Sequence, residues 1–427
     1  VRIAFVSAAR KDSKGGAARV AQEMARCFAQ QHDVVLIYPD DKTRVYKEGN
    51  RLTLCEIQSA GQADVAAPSL SHKNLRAMNE LLTDFKPNIV HAHDPISLGL
   101  IGQIWAKENG VPFISTTHLL PSRFLDFGMT ELAEFLKSRP MQGITGEILR
   151  NFYNNCDAVI APNRAAAEDL RRLGHTGRIF VIPNGRDLAM YQGCRAADIS
   201  APEKVLTFVG WICERKNQLY LVQAQRYLPH SYKLQIIGEW LDGNYRSRIE
   251  RIVRENELTN VQFIGRVEHN LVPAYLERAH VFVSASRMEV QSLSVIEALA
   301  SGTPVVGLSN ETIDELVDGT NGAMLPRTVS PEEFARRVRA ICEQSQPDYE
   351  AMCRAARTRV STFDWQIVMA STIETYEQVS RTVADDPIPK STWFYMGLTI
   401  LASLVTYFLM RPVLFYLRTR GSQAASR

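Results

Sequence analysis

None of the seven cysteines (27, 55, 156, 194, 213, 342 and 353) belongs to a Cys-x-x-Cys pair, and their number is odd. That argues against a zinc ribbon and a disulfide framework, and for a reducing compartment. An excess of one charge is missing as well. The chain has 49 Lys and Arg against 46 Asp and Glu, and Lys390, Arg411, Arg418, Arg420 and Arg427 have no acidic neighbour after Pro387, which leaves 44 basic residues against 46 acidic ones before it. A nucleic-acid-binding face is therefore not expected. No Asp-x-Asp pair stands in a metal-binding setting, so no metal is expected to be obligatory, with Mg2+ at most a stimulant. The opening residues Val1-Arg-Ile-Ala-Phe-Val-Ser7 read as a buried strand, not as a signal peptide.

What is present is alternation. At 427 residues and 45% hydrophobic, the chain is long enough for two or three cores. Apolar runs at 2–7, 34–38, 89–92, 113–117, 158–161 and 179–182 alternate with helical patterns. That is the sequence form of an α/β doubly wound parallel sheet. A second series follows at 206–209, 233–237, 261–264, 281–284, 304–306 and 323–325. The expected organisation is an N-terminal Rossmann-like domain over 1–185, a linker over 186–203, a second Rossmann-like domain over 204–360 and a helix over 361–383. A ligand cleft is expected where the two domains meet.

Residues 391–410 hold no charge over 20 positions, with Trp393, Tyr395 and Tyr407 near the ends. As a helix this is about 30 Å of hydrocarbon with interfacial anchors. A membrane-associated segment is expected over 391–417. It could span the bilayer, re-enter at Arg411-Pro412, or lie in the interface with 413–420 as a basic amphipathic tail. Cysteine usage places the body on the cytoplasmic side of the cell membrane, whereas Arg411, Arg418 and Arg420 satisfy the positive-inside rule only if the far end is cytoplasmic too.

The most informative stretch is Val281-Phe-Val-Ser-Ala-Ser-Arg-Met-Glu289-Val-Gln-Ser-Leu-Ser-Val-Ile-Glu297, followed by Ala298-Leu-Ala-Ser-Gly-Thr-Pro-Val-Val-Gly307. It reads as strand, loop, helix and strand, with Glu289 before the helix and Glu297 about two turns inside it. Between the two carboxylates, Val290, Gln291, Ser292 and Leu293 would present N–H groups of a helix start to a phosphate or to sugar hydroxyls. The Glu-x7-Glu spacing in this setting resembles the nucleotide-sugar site of the retaining glycosyltransferases of glycosyltransferase family 4.

The resemblance covers residues 1 to 380 and implies a GT-B fold and transfer of a hexose from a nucleotide diphosphate sugar. It also assigns roles. Glu289 would hold sugar hydroxyls, Glu297 the ribose, and Lys216 in Phe208-Val-Gly-Trp-Ile-Cys-Glu-Arg-Lys-Asn217 the diphosphate. Trp211 stands where relatives carry an arginine, which removes a bidentate phosphate contact unless Arg215 supplies it. Gly15 and Gly16, after the first strand, correspond to a loop over the diphosphate, and Arg266 in Phe263-Ile-Gly-Arg-Val267 to the loop at the nucleobase. The catalytic group implied is His118, Glu289 and Lys216. His91 and His93 line the crevice or pack, in preference to binding metal.

Ser115-Thr-Thr-His118-Leu-Leu-Pro-Ser-Arg-Phe124 is similar to the corresponding segment of bacterial enzymes that glycosylate diacylglycerol. The partners implied are a nucleotide-sugar donor, a lipid acceptor and a membrane. Phe124, Phe127, Phe135, Lys137 and Arg139 fit either a membrane surface or an ordinary amphipathic helix. Two alternatives stay open: a polyprenyl-linked or polysaccharide acceptor with the tail as a tether only, and a nucleotide-binding scaffold without turnover.

Overall fold

The computed structural model describes residues 1–11, 13, 15–60, 67–68, 71–95, 98–123 and 139–381. The expected membrane segment at 391–417 and the phenylalanines 124, 127 and 135 lie outside the described residues. No helix among the described residues is long and apolar enough to cross a membrane. The chain divides into two compact units, one holding Val1–Pro183 with the described residues from Met369 onward, the other holding Asn184–Val368.

The described strands of the first unit are β1 (Arg2–Val6), β2 (Asp33–Asp40), β3 (Arg44–Glu48), β4 (Leu52–Ala60), β5 (Ala67–Pro68), β6 (Ile89–Ala92), β7 (Phe113–Thr116), β8 (Ala158–Ala161) and β9 (Ile179–Val181). They run in the order β3-β4-β2-β1-β6-β7-β8-β9, with β5 paired to β4. All pairings are parallel except those of β3 and β5 with β4. β6, β7 and β8 are buried at every position, as parallel strands covered on both faces are. The order reverses between β1 and β6, and at such a switch point a crevice opens beyond the carboxyl ends of the strands. Strands β3 and β4 were not among the expected ones, although Leu52 and Leu54 alternate with Arg51 and Thr53 after a Gly49-Asn50 turn.

The second unit is a six-stranded sheet of β10 (Lys204–Val209), β11 (Tyr232–Ile237), β12 (Val261–Gly265), β13 (Val281–Ser284), β14 (Val305–Leu308) and β15 (Gly322–Leu325). The order is β12-β11-β10-β13-β14-β15, parallel throughout. Its switch point falls between β10 and β13. The loops leaving these two strands are therefore neighbours.

The stretch 186–203 differs from the linker expected there. Arg186 and Tyr191 are both only 1% exposed. Tyr191 packs with Leu299 and Phe363 in one apolar cluster, and the Arg186 backbone exchanges hydrogen bonds with Phe363 O and Trp365 N at 2.8 and 3.1 Å. Gly185 permits this closeness, since a Cβ there would lie 2.2 Å from the Trp365 ring. These contacts make the stretch a wall of the second unit. The helix Trp365–Ser380 then carries the chain into the first unit.

In that first unit the buried Tyr376 hydroxyl sits 2.6 Å from His91 Nδ1, and His91 Nε2 sits 2.7 Å from Thr116 Oγ1. His91, His93 and His118 stack in a row, with ring centroids 4.8 and 5.2 Å apart and planes within 16° and 13°. Burial pushes the His91 ring down to about 3, with His118 adding to the effect, and the His118 ring down to about 4. Burial, aided by the other two rings, holds His93 well below the usual histidine range. All three are neutral when folded and titrate near 6.5 when unfolded. Unfolding therefore takes up protons below about pH 6.5, so their contribution to stability is complete above that value and is lost as pH falls toward 4. Denaturant titrations at about pH 7.5, 6 and 5 should show a falling midpoint for the first unit. His91→Gln, which removes one titrating group, should flatten that slope.

Candidate functional site

The loop after β10 turns sharply at Gly210, whose φ of +146° a side chain would strain. Its shape is then set by the buried Gln218, which donates to Trp211 O at 2.8 Å and accepts from Cys213 N at 3.2 Å. Asn217, left-handed at φ +57°, starts the helix Gln218–Gln225. Held in this way, the loop turns Lys216 inward, with Nζ 2.5 Å from Glu289 Oε1. Arg215 lies beside it, with Nη1 3.6 Å from Glu289 Oε2 and donating to Met288 O at 3.1 Å.

The partner loop after β13 is tied down just as closely. Arg287 N donates to Arg215 O at 2.9 Å and joins the two loops. The buried Asn310 donates to Ser286 O at 3.1 Å, while its Oδ1 accepts from Thr312 N and Ile313 N. Glu289 N donates to Glu311 Oε2 at 3.2 Å and Ser292 N to Thr312 Oγ1 at 2.8 Å. Gln291 Oε1 accepts from Asn184 N at 2.7 Å. The expectation of N–H groups waiting for a ligand across 290–293 is therefore corrected at Ser292, whose N–H the threonine already takes.

Glu289 is buried, which alone would push its carboxyl up. Lys216 and Arg215, with hydrogen bonds from Lys216 and Ser286, outweigh burial and hold it below the usual carboxylate range. It is an ionised group with lone pairs for hydroxyl donors. Glu297 lies on the helix Leu293–Ser301, one turn inside and not two, because that helix begins at Leu293. Its Oε1 is 3.0 Å from His269 Nε2 and 3.6 Å from Arg186 Nε. Arg186 and Glu297 are 1% and 3% exposed, which makes this a fully desolvated pair.

Lys216, Arg215 and Glu289 thus converge at the second unit's switch point, with Val290–Leu293 linking Glu289 to the helix of Glu297. Arg266 stands apart at the end of β12, half exposed and 3.9 Å from Glu239. In the first unit, Gly15 caps the helix Gly16–Phe28 just beyond β1. His118 follows β7, partly exposed, with Nε2 2.9 Å from His93 Nδ1. Among the described residues no three His, Cys, Asp or Glu side chains come together as a metal site.

Four contributors were not anticipated: Arg186, His269, Gln218 and Asn310. Only Arg186 had a local signal, in the Pro183-Asn-Gly-Arg turn.

Two family models match the chain in succession, Glycosyltransferase Family 4 over residues 14–190 and Glycosyl transferases group 1 over residues 195–359. An alpha-monoglucosyldiacylglycerol synthase of Acholeplasma laidlawii is 27% identical over 58% of this chain and 64% of its own length, so the match spans under two thirds of that relative. A GDP-mannose-dependent alpha-(1-6)-phosphatidylinositol dimannoside mannosyltransferase of Mycobacterium tuberculosis is 26% identical over 82% of this chain and 89% of its own. The solved structure of Anabaena HepE with UDP superposes with a TM-score of 0.68 at 18% identity, covering 88% of this chain and 100% of that one. At that identity the likeness establishes the fold, two Rossmann-like α/β domains of the GT-B kind. The chain belongs to the glycosyltransferases, with a family 4 domain over residues 14–190 followed by a group 1 domain over residues 195–359.

Proposed function

We propose that the protein is a retaining glycosyltransferase that moves a hexose from a nucleotide diphosphate sugar to a membrane lipid, either diacylglycerol or a glycolipid. The observation that carries this reading is the Lys216–Glu289 pair, with Arg215 beside it, at the switch point of the second sheet. An ammonium and a guanidinium there suit a diphosphate, and an ionised carboxylate suits sugar hydroxyls. Arg215 would take the part left open by Trp211. Glu297, steadied by His269 and Arg186, would accept from ribose hydroxyls. Arg266 would face the base, and backbone groups at Val290, Gln291 and Leu293 the sugar or phosphate.

Gly15 supports the same reading from the first unit. Its φ is −70°, which any residue adopts, and a Cβ would meet only Ser13 Oγ at 3.6 Å. The fold does not demand glycine there, whereas close approach of a diphosphate over Gly15 and Gly16 does. In the proposed step the acceptor oxygen bonds to the anomeric carbon on the face the nucleotide leaves. The bond from that carbon to the diphosphate breaks, and the acceptor's proton passes to the departing phosphate oxygen. Lys216 and Arg215 balance the charge that develops on the diphosphate. His118 contributes an uncharged imidazole beside the sugar. No step requires a metal, and Mg2+ would act only as a stimulant.

The lipid acceptor is supported by the two relatives, whose names concern diacylglycerol and phosphatidylinositol dimannoside, and by the uncharged run at 391–410. We place the enzyme at the cell membrane with both catalytic units on the cytoplasmic side.

Lys216→Gln should keep the fold by circular dichroism and lower kcat/KM by about 100-fold to 1,000-fold, the usual loss for one donor to a developing negative charge. Wild-type rates in that variant would remove Lys216 from the site. Truncating residues 391–427 should abolish transfer to lipid in vesicles. Full turnover of the truncated protein on a soluble, short-chain acceptor would instead favour a polyprenyl-linked or polysaccharide acceptor with the tail as a tether.

A further inference from the structure

We propose that His93 is a positioning residue for His118, holding it as the Nδ1–H tautomer so that it donates a hydrogen bond to an oxygen of the donor sugar; this rests on the reading above. The immediate observation is the 2.9 Å contact between His93 Nδ1 and His118 Nε2, the only hydrogen bond of the His118 ring among the described residues. Between two neutral rings that contact holds one proton, and which ring carries it decides what His118 offers a ligand. If His93 carries it, His118 Nε2 accepts and its own proton sits on Nδ1. If His118 carries it, Nδ1 is a bare lone pair.

The far side of His93 chooses between them. His93 is 4% exposed, and its Nε2 is buried with no hydrogen-bond partner among the described residues. A proton on His93 Nδ1 leaves a lone pair at that buried nitrogen, whereas a proton on Nε2 leaves an orphaned N–H. Orphaned buried N–H groups are rarer than under-used acceptors. His93 therefore donates through Nδ1, and the His118 proton points away from the stack.

The His93 ring is also held firmly enough to orient another. Its backbone N donates to Val6 O at 2.8 Å, placing it at the switch point beside β1. It lies parallel between His91 and His118 and leans on Phe5 at 5.6 Å. His91 is fixed in turn from both ring nitrogens by Tyr376 and Thr116. The hydroxyls of Tyr376 and Thr116 thus brace one end of the row, and the partly exposed His118 forms the other.

The test is imidazole 15N NMR on the full-length protein, with His118 assigned by its loss in His118→Gln. The wild type should show His118 protonated on Nδ1 and bare on Nε2, and the reverse pattern would overturn the proposal. His93→Phe keeps an aromatic ring in the stack and removes the hydrogen bond. It should mix the His118 tautomers and lower kcat by about 10-fold to 100-fold, the range seen when a partner that orients a ring is lost, with donor KM nearly unchanged. His93→Asn places a side-chain amide near the former Nδ1 and should restore most of kcat. A merely structural role predicts no such rescue and no change in tautomer, and either absence would count against His93. Should His93→Phe fail to fold, the wild-type tautomer and the His93→Asn rates still decide. A wild type that transfers no sugar from any nucleotide donor would overturn the proposed function, while the NMR pattern would still report separately on the histidine pair.

Discussion

A carboxylate buried in the second unit keeps its charge chiefly because an ammonium sits 2.5 Å away, with a guanidinium beside it. Burial of Glu289 favours its neutral form, and Lys216 reverses that. Much of the surrounding structure makes this contact geometrically possible. The switch point between β10 and β13 brings their loops side by side. Gln218 shapes one loop from within, Asn310 shapes the other, and the bond from Arg287 N to Arg215 O joins them. An ion pair in this position gives little net stability, since desolvating two charges offsets most of their attraction. Its cost is understandable if the charges are kept ready for a ligand that brings its own.

Glu297 repeats the arrangement with different partners. Its carboxylate is met by His269 and Arg186, and Arg186 is in turn fixed by backbone bonds to Phe363 and Trp365. The chain segment just after the unit boundary and the one just before the final helix thus close on each other beneath this glutamate. The stretch just after the unit boundary supplies part of the support for a buried glutamate.

The sheets were readable in the sequence because buried parallel strands are short, uncharged runs led by apolar residues, and 89–92, 113–116 and 281–284 are of that kind. The exposed edge strand β3 is not, and its burial pattern shows one partly buried position in five. Glu289 and Glu297 were readable because their spacing is embedded in a strand–loop–helix pattern. Lys216 stood out for a similar reason. Gln218, Asn310 and His269 were not, since a buried amide or imidazole that bonds across two loops leaves no periodic trace along the chain. Arg186 was read as linker because apolar periodicity fades where polar long-range contacts take over. The placement of Glu297 was off by one turn for a local reason: the loop continues to the extended Ser292, and the backbone becomes helical only at Leu293.

The loop cluster around Glu289 and the row of three histidines treat their titratable groups in opposite ways. In the first of these, the buried Glu289 has Lys216 and Arg215 beside it, and they hold its carboxyl below the usual range despite burial. In the second, His91 and His93 are buried and His118 partly exposed, no carboxylate is among their hydrogen-bond or ring partners in the described residues, and desolvation leaves all three neutral. The proposed reaction needs this contrast. As the bond to the diphosphate lengthens, positive charge grows on the sugar ring and negative charge on the leaving group. A protonated His118 would repel the first, and a neutral Lys216 would do nothing for the second. A neutral imidazole can still donate one hydrogen bond to a sugar oxygen without adding charge beside the developing cation. Burial without an acid leaves the imidazole neutral in one unit, and in the other Lys216 stands against the ionised Glu289. Both requirements are therefore met by where the chain places its carboxylates.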